Sequence, residues 1–307
     1  MSRPKIILDC DPGHDDAIAI IAAARFTELL GITTVSGNAP LSSTTRNALL
    51  VTQIADVDVP VHAGADRPLL VPARHATHVH GDSGLDGPDL PTLDREVASN
   101  DAVRFIIDTV RSNDDVWLVP IGPMTNIALA LRQAPDLVDR VAGLSFMGGS
   151  TGAGNVTPSA EFNIWADPHS AAITLSAGIP TVRMAGLNLT SKFVVDRTTA
   201  ARFADASAAT GAFAAEVVEA YVQAGERLRG VSSAMMHDPC AVIAVTHPDL
   251  FVVEERHVEV STEGVTAGRT VVDERGFGGG TTNCGVLVDI DRDAGIDLLT
   301  EAIGACP

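Results

Sequence analysis

Residues 6–24 read IILDCDPGHDDAIAIIAAA, and this stretch decides the fold. A short apolar run that stops at a Pro-Gly turn and resumes as an apolar-periodic segment predicts a strand, a tight turn and a helix. Asp11 then lies at the carboxyl end of a parallel strand, where open α/β sheets bind their ligands. Asp15 and Asp16 fall in the first helical turn, where the helix dipole tolerates negative charge.

The same stretch places four carboxylates within residues 9–16. Carboxylates this close repel one another unless a cation lies among them, and oxygen donors alone suit Ca²⁺ or Mg²⁺ and not zinc. The alternative is a solvated turn whose aspartates cap the helix. The strand before the turn and the paired Asp15 and Asp16 after it favour a metal or polyol site.

Strand-like and helix-like segments alternate along the chain, which predicts βαβ units. We therefore expect an α/β fold of Rossmann-like type, with a mostly parallel central sheet, helices on both faces and a small β addition near the C-terminus. No linker or repeat divides it, so residues 1–307 are predicted to form a single domain. Strand candidates are 6–9, 32–36, 59–63, 116–120, 141–147, 181–185, 256–261, 270–272 and 286–289; helical patterns are 15–26, 42–55, 101–111, 124–133, 167–177, 198–206, 211–227, 238–246 and 294–303.

Composition favours a cytoplasmic enzyme. Asp and Glu number 39 against 21 Lys and Arg, a net charge of −18, so a nucleic-acid partner is not expected. No signal-peptide pattern and no apolar run of transmembrane length is present, so a membrane partner is not expected either. The four cysteines show no metal-binding spacing, and Cys10 and Cys240 are interpreted as small buried packing residues.

The acidic segment resembles the N-terminal DxDPGxDD signature of the inosine–uridine nucleoside hydrolase family. The resemblance covers most of the chain, because further family motifs follow in family order. They are TTVSGN at 33–38, PMTN at 123–126, MGG at 147–149, AEFN at 160–163 and HDP at 237–239.

This resemblance implies Ca²⁺-dependent hydrolysis of the N-glycosidic bond of ribonucleosides, of the inosine or uridine type, to ribose and free base for nucleoside salvage. It implies that Asp11, Asp16, Asp238 and the main-chain oxygen of Thr125 bind the Ca²⁺. Asp11 would also be the general base toward the metal-bound water that attacks an oxocarbenium-like sugar. Asp9 is interpreted as support behind these ligands.

The resemblance also assigns residues to the sugar. Asp15, Asn38, Asn155, Glu161 and Asn163 would bind its hydroxyls, and Asp238 would contact both sugar and metal. Met147 would lie beneath the ribose, although core packing explains it equally well. Glu161 and Asn163 are two residues apart, which in extended backbone would project both to one side.

Two histidines, His237 and His80, are expected to contact the base or the ligand. His237 precedes Asp238, and the family branch with histidine here is thought to use it to protonate the base. A purine-specific branch uses tryptophans instead, but Trp117 and Trp165 lie outside the region that would cover a base. The long loop 66–94 lacks periodicity, as functional lids often do. Within it, residues 80–84 resemble the substrate-covering loop of the family, where His80 would approach the ligand, whereas His75 and His78 are interpreted as loop residues and not as zinc ligands.

One departure leaves the base preference open. Several relatives carry an aromatic residue shortly before the HDP motif. Here the nearest is Tyr221, and Met235 and Met236 stand in its place. A purine, a pyrimidine or a broad preference is therefore admissible. The glycine run 278–282 is interpreted as a hairpin turn, because it lacks phosphate-loop spacing.

Two other classes of protein remain as alternatives. A Mg²⁺-dependent phosphohydrolase also opens with an apolar strand ending in DxD, but it needs a cation, for which Lys192 is the sole candidate. A non-catalytic, metal-dependent ribose-binding protein is the second alternative. The family resemblance further implies a homodimer or homotetramer.

Overall fold

The computed structural model describes residues 3–278 and 281–307, and its centre is the strand predicted from the opening apolar run. The strands, in chain order, are β1 (Lys5–Cys10), β2 (Glu28–Thr34), β3 (Val61–Ala63), β4 (Val116–Pro120), β5 (Gly143–Met147), β6 (Val182–Ala185), β7 (Val194–Val195), β8 (Ala234–Met235), β9 (Phe251–Arg256), β10 (Val258–Val260), β11 (Thr270–Val272) and β12 (Cys284–Ile290).

Eight of these strands form one sheet in the order β3-β2-β1-β4-β5-β6-β12-β9. Every neighbouring pair is parallel except β12 with β9. The first six strands follow the doubly wound order 3-2-1-4-5-6, in which the direction of winding reverses between β1 and β4. Ligands bind in the crevice at the carboxyl ends of the strands at such a reversal. The fold therefore brings the acidic turn after β1 to the place where a site is expected.

Helices cover both faces of the sheet. Ile6 and Leu8 of β1 pack into one hydrophobic cluster and Ile7 packs into another, because successive side chains of a strand point to opposite faces. The helices are α1 (His14–Phe26), α2 (Leu41–Ile54), α3 (Thr77–His80), α4 (Ala102–Ser112), α5 (Thr125–Gln133), α6 (Phe162–Ala166), α7 (Pro168–Leu175), α8 (Leu187–Thr190), α9 (Arg197–Ala204), α10 (Ala209–Arg229), α11 (Pro239–Thr246) and α12 (Arg292–Gly304).

Helix α1 begins at the acidic turn and is buried along most of its length. Its residues His14 to Ala23 are all buried, and α10, α11 and α12 contribute to the same hydrophobic cluster. Gly13 precedes the helix, and a Cβ atom there would lie 2.6 Å from Nδ1 of His80. Only glycine therefore lets the long loop approach the start of α1 this closely.

The α/β class and the mostly parallel sheet confirm the prediction from sequence, and 116–120 and 270–272 have the predicted bounds. The prediction that residues 256–261 form a single strand was wrong. Arg256 ends β9, an exposed edge strand, and β10 starts after His257. Only Phe251, at the start of β9, is buried, so this strand shows little alternation of buried and polar residues. Hydrophobic periodicity therefore did not predict residues 251–255 as a strand. Helices α3, α6 and α8 were missed because four or five residues show no periodicity.

Strands from both halves of the chain share the central sheet, which supports the prediction that residues 1–307 form one domain; that prediction stays untested. Of the glycine run interpreted as a hairpin turn, residues 279 and 280 lie outside the described residues. None of the helices in the described ranges is both long and apolar enough to cross a membrane.

Candidate active site

A cavity of about 360 Å³ opens at the carboxyl ends of the central strands, where Met147 ends β5 and Ile121 follows β4. Cavities that hold small molecules begin at about this size. Its wall brings together His237 and every residue that the sequence assigned to substrate binding, namely Asp15, Asn38, His80, Met147, Asn155, Glu161, Asn163 and Asp238.

Asp11 and Asp16 are buried directly next to this wall, and Asn38 connects them to it. The backbone N–H of Asn38 donates to Oδ2 of Asp11 at 2.6 Å, and its Nδ2 donates to Oδ2 of Asp16 at 3.2 Å. The backbone N–H groups of Gly13 and Asp11 both donate to the Asp16 carboxylate. The turn thus holds these two carboxylates in fixed orientations with its own amides.

Three buried carboxylates meet at one end of the cavity. Asp15, Asp16 and Asp238 each place an oxygen within 4.8 Å of the others. Burial, and then the neighbouring carboxylates, raise the pKa of Asp11 and Asp238 well above the usual range and that of Asp15 to about 8. Charges this close remain ionised at neutral pH only if a cation compensates them.

The donor set fits a hard cation. Oδ1 of Asp11 is buried and has no hydrogen-bond partner among the residues that the structure describes. The carboxylates of Asp16 and Asp238 lie within 4.8 Å of each other, so a proton or a cation is needed to relieve their repulsion. These groups offer oxygen atoms only, and Ca²⁺ accepts six to eight oxygen ligands in a flexible geometry.

The cluster contains one residue that the sequence assigned to the sugar, because Asp15 lies beside Asp16 and Asp238. The assignment of Asp11 to the metal and of Asp15 to the sugar stays a prediction. Oδ2 of Asp15 also accepts the backbone N–H of His237 at 3.3 Å, which holds the HDP segment against α1. Thr125 is buried at the start of α5, and its hydroxyl donates to Oδ2 of Asp167 at 2.8 Å.

Asp9 has a supporting position. Its Oδ1 accepts hydrogen bonds from the Thr33 hydroxyl at 2.6 Å and from Nδ2 of Asn126 at 2.7 Å. The Oδ1 of Asn126 in turn accepts the backbone N–H of Ala65. Burial raises the pKa of Asp9 to about 7. Asp9 therefore connects β1 to β2 and to the start of α5.

The opposite wall is built around Glu161. This residue caps α6, and its carboxylate accepts the backbone N–H groups of Asn163, Ile164 and Gly149 at 2.9, 3.2 and 2.9 Å. Nδ2 of Asn163 donates to the carbonyl oxygens of Ile121 and Met147. The extended backbone expected at 161–163 was wrong. Asn163 lies in the first turn of α6, and the two side chains meet because the capping carboxylate folds back onto the helix.

Asn155 belongs to the same wall, where its Oδ1 accepts the backbone N–H of Phe162. Burial raises the pKa of Glu161 to about 7. The wall thus presents two amides and a carboxylate whose positions are fixed by the backbone. Such groups can both donate and accept hydrogen bonds, as the hydroxyls of a sugar require.

His237 lines the same cavity and directly precedes Asp238. Its Nδ1 lies 2.7 Å from the Thr190 hydroxyl. Burial, and then the charge of Arg229, lower the pKa of His237 to about 4, so its ring is neutral at pH 7. When the Thr190 hydroxyl donates to Nδ1, the single ring proton is on Nε2.

His80 is part of an aromatic cluster that the sequence did not indicate. Its Nδ1 lies 2.9 Å from Nδ1 of His14, and the ring of His14 stacks on both His80 and Tyr221, with ring centres 5.2 and 5.4 Å apart. Nε2 of His14 lies 2.9 Å from the carbonyl oxygen of Asp86. His14 occupies the variable position of the acidic signature, so no motif singled it out.

Tyr221, in helix α10, is an aromatic residue that lines the cavity. The interpretation that Met235 and Met236 replace an aromatic residue was wrong, since in the described part of the chain neither lines the cavity. Tyr221 lies far before the HDP motif in sequence. It reaches the cavity because the last part of α10, up to residue 229, runs along the cavity wall.

The structure also shows where the other histidines, the tryptophans, Lys192 and two cysteines lie. His78, interpreted as a loop residue, lines the cavity, whereas Nδ1 of His75 contacts the carbonyl oxygen of Gly37 at 3.0 Å. Trp117 stacks with Arg183 and Trp165 with Arg74. Lys192 contacts Asp289 at the surface, so it does not supply the cation that a phosphohydrolase needs. Cys10 and Cys240 are buried packing residues, as predicted.

Comparisons with known proteins agree with this geometry. The family model described as "Inosine-uridine preferring nucleoside hydrolase" matches residues 6–297. The pyrimidine-specific ribonucleoside hydrolase RihB of Escherichia coli is 41% identical over 307 residues, covering 99% of this chain and 98% of the relative. A purine-preferring ribonucleoside hydrolase from Gardnerella vaginalis has a similar structure, with a TM-score of 0.91, 32% identity and 98% of each chain covered. A plant nucleoside hydrolase matches with a TM-score of 0.90 and 27% identity, covering 98% of this chain and 99% of the other.

Proposed function

Because the chain belongs to the inosine-uridine preferring nucleoside hydrolase family and is a ribonucleoside hydrolase, we propose that it cleaves pyrimidine ribonucleosides to ribose and free base with Ca²⁺. One observation carries the proposal: a single cavity is lined by Asp15 and Asp238 of the buried carboxylate cluster, by Glu161 and Asn163, and by His237, His80 and Tyr221. The pyrimidine preference rests on the similarity to the pyrimidine-specific relative.

Asp11, Asp16 and Asp238 would hold the Ca²⁺, with the Thr125 carbonyl as a further ligand and Asp15 beside them. A bound Ca²⁺ would supply positive charge that acidifies water and attracts vicinal ribose hydroxyls. The unpaired Oδ1 of Asp11 and the proximity of the Asp15, Asp16 and Asp238 carboxylates, within 4.8 Å of one another, support this assignment.

Asp11 acts as the general base in this proposal. The Asn38 N–H holds Oδ2, which leaves Oδ1 to accept a proton from the attacking water. A base must lie within hydrogen-bond reach of the proton that it removes, and a buried, oriented carboxylate meets that condition.

The carboxylates also suit the transition state of the sugar. Breaking an N-glycosidic bond leaves positive charge on the ribose ring, as in glycoside hydrolysis. Fixed negative groups around the ring stabilise that charge without reorganising at the moment of reaction. Asp15, Asn38, Asn155, Glu161 and Asn163 bind the hydroxyls, and Met147 packs beneath the ring.

His237 serves the leaving base. A neutral imidazole can stabilise negative charge that develops on a substrate. The Thr190 hydroxyl orients the ring and leaves Nε2 as the donor toward the departing nitrogen. His80 and Tyr221 form the adjoining wall against which a flat base packs.

The direct test is to incubate the purified protein with uridine, cytidine and inosine and to follow the free base by chromatography. We expect uracil to be released faster than hypoxanthine. A clear preference for inosine would contradict the pyrimidine assignment, and release of phosphate from p-nitrophenyl phosphate without release of base would contradict the function itself.

Removing the 2′ hydroxyl is expected to slow the reaction. Each buried group left without its partner costs about 1–3 kcal/mol, so kcat/KM for deoxyuridine should be roughly 10- to 100-fold below that for uridine. The measurement compares initial rates on the two substrates. A ribonucleoside with a methylated uracil keeps both hydroxyls and serves as the control, and it should remain close to uridine. Equal rates on uridine and deoxyuridine would contradict the sugar assignment.

Thermal stability is expected to depend jointly on pH and Ca²⁺. The pKa values of Asp9, Asp15 and Glu161 are raised to about 7, 8 and 7 in the folded protein by burial. A carboxyl group with a raised folded pKa stabilises the fold below its unfolded pKa of about 4 and loses that contribution as the pH rises through the folded value. The metal-free protein should therefore unfold at a lower temperature at about pH 8 than at about pH 5.5.

Because Ca²⁺ binds the ionised carboxylates, its addition should raise the unfolding temperature more at the higher pH. Calorimetry of chelator-treated protein, with and without Ca²⁺, measures both effects. The same titration with Mg²⁺ should give the smaller shift, since that ion demands a stricter geometry. An equal Ca²⁺ shift at both pH values would contradict the proposed ligands.

Nucleoside salvage, a cytoplasmic location and a homodimer or homotetramer remain proposals that rest on the family resemblance. The ribose-binding alternative is not favoured, because Asp11 and His237 keep the free atoms Oδ1 and Nε2 that a hydrolase needs.

A further inference from the structure

The β10–β11 hairpin packs against α6 and the turn after β5, although no sequence motif assigned it a role in the site. A Cβ atom at Gly268, in the hairpin turn, would lie 2.6 Å from Cα of Trp165 in α6. A Cβ atom at Gly149 would lie 2.5 Å from Cγ2 of Thr270. The hairpin therefore touches both the helix that carries Asn163 and the turn that follows β5.

Thr270 makes the central contact of this hairpin with the site. Its hydroxyl donates to the carbonyl oxygen of Ser150 at 2.7 Å and accepts the backbone N–H of Ser150 at 2.8 Å. Both residues are buried, with 2% and 5% of their surface exposed. One side-chain hydroxyl thus pairs both backbone polar groups of Ser150, and buried backbone groups are rarely left unpaired.

The residue before Ser150 binds Glu161. Gly149 has a φ of +72°, a backbone conformation that favours glycine, and its N–H donates to Oε2 of Glu161 at 2.9 Å. The other two backbone N–H groups on this carboxylate, those of Asn163 and Ile164, belong to α6 itself. Within the described residues, the Gly149 N–H is the backbone contact that ties Glu161 to the end of β5.

We propose that Thr270 is a positioning residue for ribose binding. By holding Ser150, it fixes the Gly149 N–H on Glu161 and so directs the Glu161 carboxylate toward the sugar. The inference rests on the proposed function of Glu161 as a ligand of the ribose hydroxyls. Thr270 itself lies behind the cavity wall and acts only through the 149–150 turn and Glu161.

The test uses Thr270→Val, which keeps the shape of the side chain and removes both hydrogen bonds. KM for uridine is expected to rise roughly tenfold, with a much smaller change in kcat, because the change affects how the sugar is held. Thr270→Ser keeps the hydroxyl and should restore KM to near the wild-type value. A wild-type KM for Thr270→Val, or a Thr270→Ser variant as impaired as Thr270→Val, would overturn the inference.

A double-mutant cycle separates positioning from general support of the fold. In the Glu161→Ala background, Thr270→Val should change KM by less than about twofold, since the carboxylate that it orients is gone. Additive losses would mean that Thr270 only stabilises the fold, and would overturn the inference. If Thr270→Val does not fold, Thr270→Ala removes the same hydroxyl, and the same outcomes apply, with thermal unfolding measured alongside.

The two proposals fail in different ways. Unchanged uridine hydrolysis by Glu161→Ala would overturn the assignment of Glu161 to the sugar, and the inference on Thr270 with it. A large loss with Glu161→Ala together with a wild-type Thr270→Val would overturn the inference alone.

Discussion

Asp11→Asn is expected to lower kcat for uridine by about 10⁴-fold, the upper end of what a positioned acid or base contributes. The amide keeps the size of the side chain and an acceptor for the Asn38 N–H at Oδ2. It removes the basic oxygen at Oδ1, which has no hydrogen-bond partner among the described residues, and it removes a charge from the proposed Ca²⁺ site. Steady-state kinetics on uridine, with Ca²⁺ in excess, measures the loss.

Asp9→Asn is the matched control. Asp9 lies two residues earlier, in β1, is equally buried, and also has one carboxylate oxygen without a partner in the described residues. Because Thr33 and Asn126 bind its other oxygen, it supports the turn and does not face the cavity. A far smaller loss of kcat is expected. Similar losses for the two variants, or near-wild-type activity of Asp11→Asn, would contradict the role of Asp11 as the base.

His237→Ala is expected to lower kcat for uridine by about 10²–10⁴-fold, since it removes the donor that stabilises the departing base. On p-nitrophenyl riboside the same variant should stay close to the wild type, because that leaving group departs without protonation. Asp238→Ala should damage both substrates, because it disturbs the cluster that holds the metal and the sugar. Initial rates of the three proteins on the two substrates decide the assignment.

Thr190→Val provides a graded version of this test. It removes the hydroxyl at 2.7 Å from Nδ1 while leaving the imidazole in place. Its loss on uridine should be smaller than that of His237→Ala and should likewise vanish on p-nitrophenyl riboside. Equal losses of His237→Ala on both substrates would mean that the imidazole only shapes the cavity.

The sequence was most informative where chemistry and local structure coincide. The run Ile6–Leu8 is apolar without alternation because both faces of the sheet are covered, and the acidic turn ends it. The segments TTVSGN, PMTN and MGG could be placed near one another because they lie at the carboxyl ends of β2, β4 and β5, which are parallel strands of one sheet. The fold class was therefore predictable, and so were most of the charged and amide side chains on the cavity wall, whereas most of its apolar and aromatic residues were not.

Contacts that depend on distant parts of the chain were not predictable. His14 contacts His80 across 66 positions and Thr270 contacts Ser150 across 120, and no local pattern joins either pair. Tyr221 reaches the cavity because the long helix α10, which contains it, runs along the cavity wall. Similarly, only the fold of the turn reveals that Asp15, and not Asp11, comes within 4.8 Å of Asp16 and Asp238.

The order of the strands has a consequence for how the chain matures during translation. Helix α1 is made before the helices α10, α11 and α12 that cover it, which lie more than 180 residues further along the chain. Strand β6 likewise lacks its neighbour β12 until residues 284–290 have left the ribosome. A nascent chain that ends before these residues exposes a largely apolar helix and an open sheet edge, which are the surfaces that chaperones bind and that promote aggregation. The acidic turn at residue 11 is therefore synthesised well before the helices that enclose the following helix α1.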